Sequence, residues 1–183
     1  MKLFFFGGCF DPPHKGHYEI IQKCSKECQK LIIMPTLNSP LKNNTSSIAP
    51  HHILQMLELL IQDIDSTIEI DEYDFSRSGP THTVDTIHHI QQKYPESSIS
   101  MIVGADQLMK FQHWKEYNNI INSVHIIGFN RGNCEFTPIS GMNITWIKDF
   151  NMDISSTEIR EKIANGKLIG NELTPPVHDY IQG

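Results

Sequence analysis

With 183 residues, 39% of them hydrophobic and 20% charged, the chain is long enough to bury about 70% of its unfolded surface and lacks the low-hydrophobicity, high-charge signature of disorder. A net charge of −6 argues against a nucleic-acid or anionic-membrane binder, so a polyanionic ligand has to meet basic groups gathered locally. No stretch approaches the roughly 20 apolar residues of a membrane span, and cytoplasm is the expected compartment.

Met1 to Cys9 has the order of a short lipoprotein leader, but its apolar run is far shorter than a signal h-region and ends in glycines. Leu3 to Phe6, closed by Gly7-Gly8, instead predicts a strand buried on both faces. After Pro12-Pro13, Tyr18, Ile21, Cys24 and Cys28 recur at helical spacing, which predicts a helix to about Lys30. Leu31 to Met34 is the next strand, completing a βαβ unit with a right-handed crossover. A polar loop, Thr36 to Ser47, leads to a helix carrying Ile53, Leu54, Leu57 and Leu60, and then to a strand near Ile68 to Ile70. A helix with Val84, Ile87 and Ile90 precedes a strand at Ile99 to Val103, short helical turns over Leu108 to Ile121 and a strand at Val124 to Phe129. Asn143 to Ile147 forms another strand, and a last clear helix begins near Ser155. Strands alternating with helices imply an α/β fold: a Rossmann-like, doubly wound parallel sheet in three α/β/α layers, in a single domain over 1–183. Thr36 to Ser47 and Arg131 to Gly141 are the loops expected to move over a site.

Four cysteines (Cys9, Cys24, Cys28, Cys134) in a chain of this length do not make a disulfide scaffold. Cys24 and Cys28 share a face in the predicted helix, but no neighbouring ligands complete a tetrahedral set. They read as buried apolar side chains, with no structural zinc.

In an open α/β sheet, ligands sit beyond the carboxyl ends of the strands, where strand order reverses. Three segments should converge there: the one after the first strand, Gly104-Ala105-Asp106, and the one at Ser155. The first, Gly-Gly-Cys-Phe-Asp-Pro-Pro-His-Lys-Gly-His over residues 7–17, carries the strongest signal. Gly7 and Gly8 allow a sharp turn and close approach of a ligand. Asp11 and Pro12 each precede a proline and are biased to extended conformations. His14 and His17, three apart at a helix start, face one side, with Gly16 leaving space for a ligand atom between them. Helix-start N–H groups and two imidazoles make a phosphate-binding apparatus. Near the other end, Ser155 and Glu158 have capping-box spacing and read as a well-made helix start. Arg160, one turn inside, offers a forked pair of N–H groups to phosphate.

These segments resemble the signature of the HxGH nucleotidyltransferases, and Gly-Gly-x-Phe-Asp-Pro-Pro-His is similar to the nicotinate mononucleotide adenylyltransferases in particular. The likeness extends through Gly79 to Thr86, Gly104-Ala105-Asp106, Phe111 to Trp114 and Ile154 to Arg160. It implies transfer of AMP from ATP to nicotinate mononucleotide, giving deamido-NAD and pyrophosphate, by His14, His17 and Arg160. The histidines would donate charge-assisted hydrogen bonds to the phosphates. A Mg²⁺ ion would be held mainly by substrate phosphates. ATP contacts are implied at Gly7, Gly8, Cys9, Phe10, Gly104, Asp106, Ile154, Ser156 and Thr157, and acceptor contacts at Lys42, Thr83 and Trp114, with Arg131 a further phosphate partner. Trp114 is equally a core aromatic, and Asp106 equally a helix cap. Nucleic acid and membrane are not expected partners. Three positions depart from the family pattern: Ser39-Pro40-Leu41-Lys42 stands where Pro-Pro-His-Lys is common, Cys9 where Ser or Thr is, and His82 where an aromatic residue is. Alternative readings are another HxGH enzyme, such as a phosphopantetheine adenylyltransferase, or a nucleotide-binding regulator without catalysis.

Overall fold

The computed structural model describes residues 1–37, 48–64, 67–77, 79–130, 136–150 and 152–183. Strand β1 (Lys2–Gly8) leads through a turn into helix α1 (Lys15–Ser25), and β2 (Lys30–Pro35) returns beside β1 in parallel, Leu3 opposite Lys30 and Gly8 opposite Pro35. Next come α2 (Pro50–Ile61), β3 (Ile68–Ile70), a 3-10 turn at Tyr73–Ser76, α3 (Thr83–Lys93) and β4 (Ser98–Gly104). The short helix α4 (Ala105–Leu108), a 3-10 turn at Phe111–His113 and α5 (Tyr117–Ser123) precede β5 (His125–Phe129) and β6 (Ile144–Ile147). Helices α6 (Ser156–Ala164) and α7 (Pro175–Gln182) follow. The strands form one sheet, all pairs parallel, in the order β3-β2-β1-β4-β5-β6. The Rossmann-like α/β fold expected from the sequence is the one observed.

Side chains alternate across β1 and divide the core in two. Phe4 and Phe6 join Ile20, Ile21, Ile53, Leu57, Ile159 and Val177 on the face covered by α1, α2, α6 and α7. Leu3 and Phe5 join Val84, Ile87, Ile90, Ile120 and Ile121 on the face covered by α3 and α5. Both groups are buried, which is why the first strand reads as a continuous apolar run.

Two expectations need correction. Helix α1 ends at Ser25, not near Lys30: Gln29 already donates its N–H to the Lys2 carbonyl at 2.9 Å, and Lys2 donates to the Gln29 side chain at 2.8 Å. The chain has to leave the helix early to reach its place beside β1. Cys28 therefore lies outside the helix and shares no helical face with Cys24. Burial pushes the Cys24 thiol up to about 12, so it behaves as a small apolar group. The helix at Ser155 is also not the last. Helix α7 starts at Thr174-Pro175 and buries Val177, with proline at the first helical position where its missing N–H costs nothing. Among the described residues, no helix is long and apolar enough to cross a membrane.

The edge strand β3 carries an ion network. Glu69 accepts Lys30 at 2.7 Å, Lys93 at 2.6 Å and the Tyr94 hydroxyl at 2.6 Å, while Asp71 accepts Lys93 at 2.7 Å and His89 at 3.0 Å. Burial alone would raise the Glu69 carboxyl, but these three donors more than offset it and hold it at about 2. A carboxyl depressed on folding stabilises the native state above its unfolded pKa, and that contribution is lost as pH falls through the folded value. Discounted for partial exposure, Glu69→Gln should cost about 1 to 2 kcal/mol at pH 7, with the difference shrinking below pH 4 and gone near pH 2. Urea unfolding of both chains across that range checks it.

Candidate active site

Strand order reverses between β1 and β4, and a crevice of about 720 Å³ opens beyond their carboxyl ends. Residues from three segments distant in the sequence line it: Gly7–Asp11 with His14, Gly16 and His17; Gly104, Asp106 and Gln107; and Ile154–Thr157 with Arg160.

His14 is the N-cap of α1 and His17 its third residue. Their rings stack with centroids 3.7 Å apart and planes 24° from parallel. The His14 backbone N–H donates to His17 Nδ1 at 3.2 Å. A nitrogen that accepts carries no proton, so this contact leaves Nε2 as the ring nitrogen of His17 able to donate. Gly16 lies on the crevice lining. A Cβ there would lie 3.1 Å from His14 Cε1 and Nδ1, so the missing side chain also makes room for the His14 imidazole. Not all the helix-start amides are available to an anion, because Lys15 N–H donates to the Glu172 carbonyl at 2.8 Å.

Phe10 adopts a left-handed conformation, φ 48°, uncommon for a residue with a Cβ. Burial fixes it: the ring is 1% exposed and packs edge-on against Phe6 at 5.4 Å and His17 at 4.9 Å. Its ring therefore supports His17 from below. The peptide bond between Asp11 and Pro12 is cis, and the turn presents two carbonyls to α6. Ser156 donates its hydroxyl to the Pro12 carbonyl at 2.9 Å, and Arg160 donates to the Asp11 carbonyl. Arg160 also reaches Thr157 Oγ1 at 3.3 Å. Ser155 caps α6 by accepting the Glu158 N–H at 3.0 Å, so this segment is both a well-made helix start and a wall of the crevice.

Asp106 lies in the first turn of α4, whose N-cap is Gly104. The carboxylate is thus not the N-cap, and it lines the crevice with Gly104. Thr83 begins α3 and also lines it. Trp114 packs against the buried Phe111, ring centroids 4.9 Å apart and planes 33° from parallel, and also lines the crevice. Gly7, Gly8, Cys9 and Ile154 lie on the lining too. Lys42 and Arg131 lie outside the described residues, as do most of the Thr36 to Ser47 loop and the first part of Arg131 to Gly141.

No motif or spacing singles out Asp74, yet it stands in the 3-10 turn after β3, 7% exposed, on the crevice lining. Thr86 Oγ1 lies 3.3 and 3.4 Å from its two carboxyl oxygens. Burial pushes the carboxyl up to about 6, against the smaller opposing influence of Thr86 and Arg77. Only its place against α3, one turn from Thr83, reveals it.

The sheet order and the crevice at its reversal define an open α/β protein with a ligand cleft at its switch point. The sequence pattern of the cytidylyltransferase-like family matches residues 5–162. Proteins described as "probable nicotinate-nucleotide adenylyltransferase" are 32% identical in Prosthecochloris aestuarii, over 99% of this chain and 95% of that protein, and 31% identical in Leptospira interrogans, over 96% and 92%. The nicotinic acid mononucleotide adenylyltransferase of Plasmodium falciparum, solved as a complex with NaAD, superposes with a TM-score of 0.82 over 99% of this chain and 94% of that one, at 20% identity. The chain belongs to the cytidylyltransferase-like family and, within it, to the nicotinate-nucleotide adenylyltransferases.

A buried carboxyl whose pKa is raised binds its proton more tightly when folded, so native stability falls as pH rises from the unfolded value through the folded one. Asp74→Asn keeps an acceptor for Thr86 and removes that cost. It should raise unfolding free energy by about 1 to 3 kcal/mol at pH 8, with the gain vanishing toward pH 4. Denaturant melts at the two pH values measure it.

Proposed function

We propose that the protein transfers AMP from ATP to nicotinate mononucleotide, releasing pyrophosphate and forming deamido-NAD. The observation that carries this is the meeting of His14, His17 and Arg160 in one crevice whose lining also includes Thr83 and Trp114. The names of the curated relatives support the same acceptor.

The acceptor phosphate is a monoester with a second pKa of about 6, so near pH 7 it is mostly a dianion and needs no general base. Its oxygen attacks the α-phosphorus, and the bond to the β-phosphate breaks with its electron pair leaving on pyrophosphate. The protein's work is to hold two repelling anions in line and to stabilise charge on the α-phosphoryl oxygens and the leaving group. His17 donates from Nε2, the nitrogen left bearing the proton by the contact with the His14 backbone. Arg160 uses its N–H groups beyond those on Asp11 and Thr157 to fork onto phosphate. Thr83 and Trp114 hold the pyridine end, and Asp106 faces ribose hydroxyls.

The donor set fits a metal carried by substrate. Imidazole and guanidinium N–H groups suit phosphate oxygens, and the lining carboxylates Asp11, Asp74 and Asp106 come from three separate segments. A Mg²⁺ ion would therefore sit on substrate phosphates and water, neutralising charge on the leaving pyrophosphate.

Pyrophosphate release with Mg-ATP and, side by side, nicotinate mononucleotide, nicotinamide mononucleotide and phosphopantetheine tests the reading. Nicotinate mononucleotide should turn over; ATP binding without product from any acceptor would overturn the reaction. His17→Ala should keep the fold by circular dichroism and lose on the order of a hundredfold or more in kcat. Near-normal AMP transfer by that variant would remove the role given to His17.

A further inference from the structure

We infer that Glu172 is a positioning residue, tying the start of α1 to the second half of α6 so that the two phosphate-facing helix starts keep a fixed separation. The inference rests on the adenylyl-transfer reading above. The segment between α6 and α7 folds back across the entry of α1. Its Glu172 carbonyl accepts the first amide of that helix, Lys15 N–H, at 2.8 Å, and Asn171 accepts Lys15 Nζ. The Glu172 carboxylate pairs with Lys162 on α6, which holds the carboxyl below its usual range. Gly170 gives the carboxylate room, since a Cβ there would lie 3.1 Å from Glu172 Oε2. Leu173, 3% exposed, anchors the strap in the same core cluster as Ile159 and Val177.

On the crevice side, α6 meets the α1 entry through Ser156 and Arg160. Both of those side chains also line the crevice, where an incoming polyphosphate meets them. Lys15, Lys162 and Glu172 are not on the lining, so their tie is made away from the ligand and does not compete with it. The Lys162 and Glu172 side chains are 38% and 21% exposed, and ion pairs this accessible contribute little to stability. Reaction geometry is far more sensitive, a displacement of about 1 Å costing on the order of a hundredfold.

Glu172→Gln, Lys162→Met and the double variant are compared with the unaltered chain by calorimetric titration with ATP and by steady-state pyrophosphate release with nicotinate mononucleotide. Each single substitution should weaken ATP binding and raise its KM about tenfold, lower kcat by a similar factor, and leave the acceptor KM within about twofold and Tm within about 3 °C. The double variant should lose no more than either single one, since both break the same contact. ATP affinity within twofold of the unaltered chain overturns the inference, as do multiplying losses in the double variant or a loss that follows the unfolded fraction. If the unaltered chain binds ATP but makes no product, the assigned reaction fails while the ATP titrations still decide the role of Glu172.

Discussion

The carbonyl oxygens of Asp11 and Pro12 are where the two halves of the site meet. They belong to a turn between a strand and a helix, where neither regular element claims them, and Pro12 and Pro13 bring no N–H groups of their own. Arg160 and Ser156, 149 and 144 residues further along, supply the missing donors. These contacts bring the imidazole pair and the guanidinium to one opening, and they explain how an acidic chain gathers donors for a polyanion in one place.

The sheet makes that meeting inevitable. Because β4 lies beside β1 on one side and β2 on the other, the helices after β1 and β4 diverge to opposite faces and leave the crevice between them. Into it project the end of the first strand, the start of α4 and the start of α6, all within reach of one extended ligand. The histidine pair adds a finer device. A backbone amide directed at His17 Nδ1 makes the other ring nitrogen the one able to donate, while the His14 ring stacks against it.

Much of this was legible in the residues. Buried strands announce themselves as apolar runs such as Leu31 to Met34, and His14, His17 and Arg160 sit in spacings that are hard to produce by packing alone. What was not legible depends on partners remote in the sequence. Helix α1 ends at Ser25 because Gln29 has to meet Lys2 across the sheet, which local periodicity cannot encode. That Gly16 also makes room for the His14 ring depends on where that ring lies, which the spacing does not state. Asp74 belongs to a 3-10 turn without periodicity, and its unusual proton affinity comes from burial against α3. Glu172 looks like an ordinary surface acid until Lys15 and Lys162 are found beside it.

The alternation of β1 between two cores has a further result. Phe4 and Phe6 face one layer and Leu3 and Phe5 the other, so the strand that feeds the histidine turn is clamped from above and below and has a neighbour on each edge. Edge strands such as β3 can fray without disturbing it, but detaching β1 dissolves both layers at once. The histidine turn is therefore attached to the most extensively packed strand of the sheet, and its loss is expected with global unfolding rather than with fraying at the sheet edges.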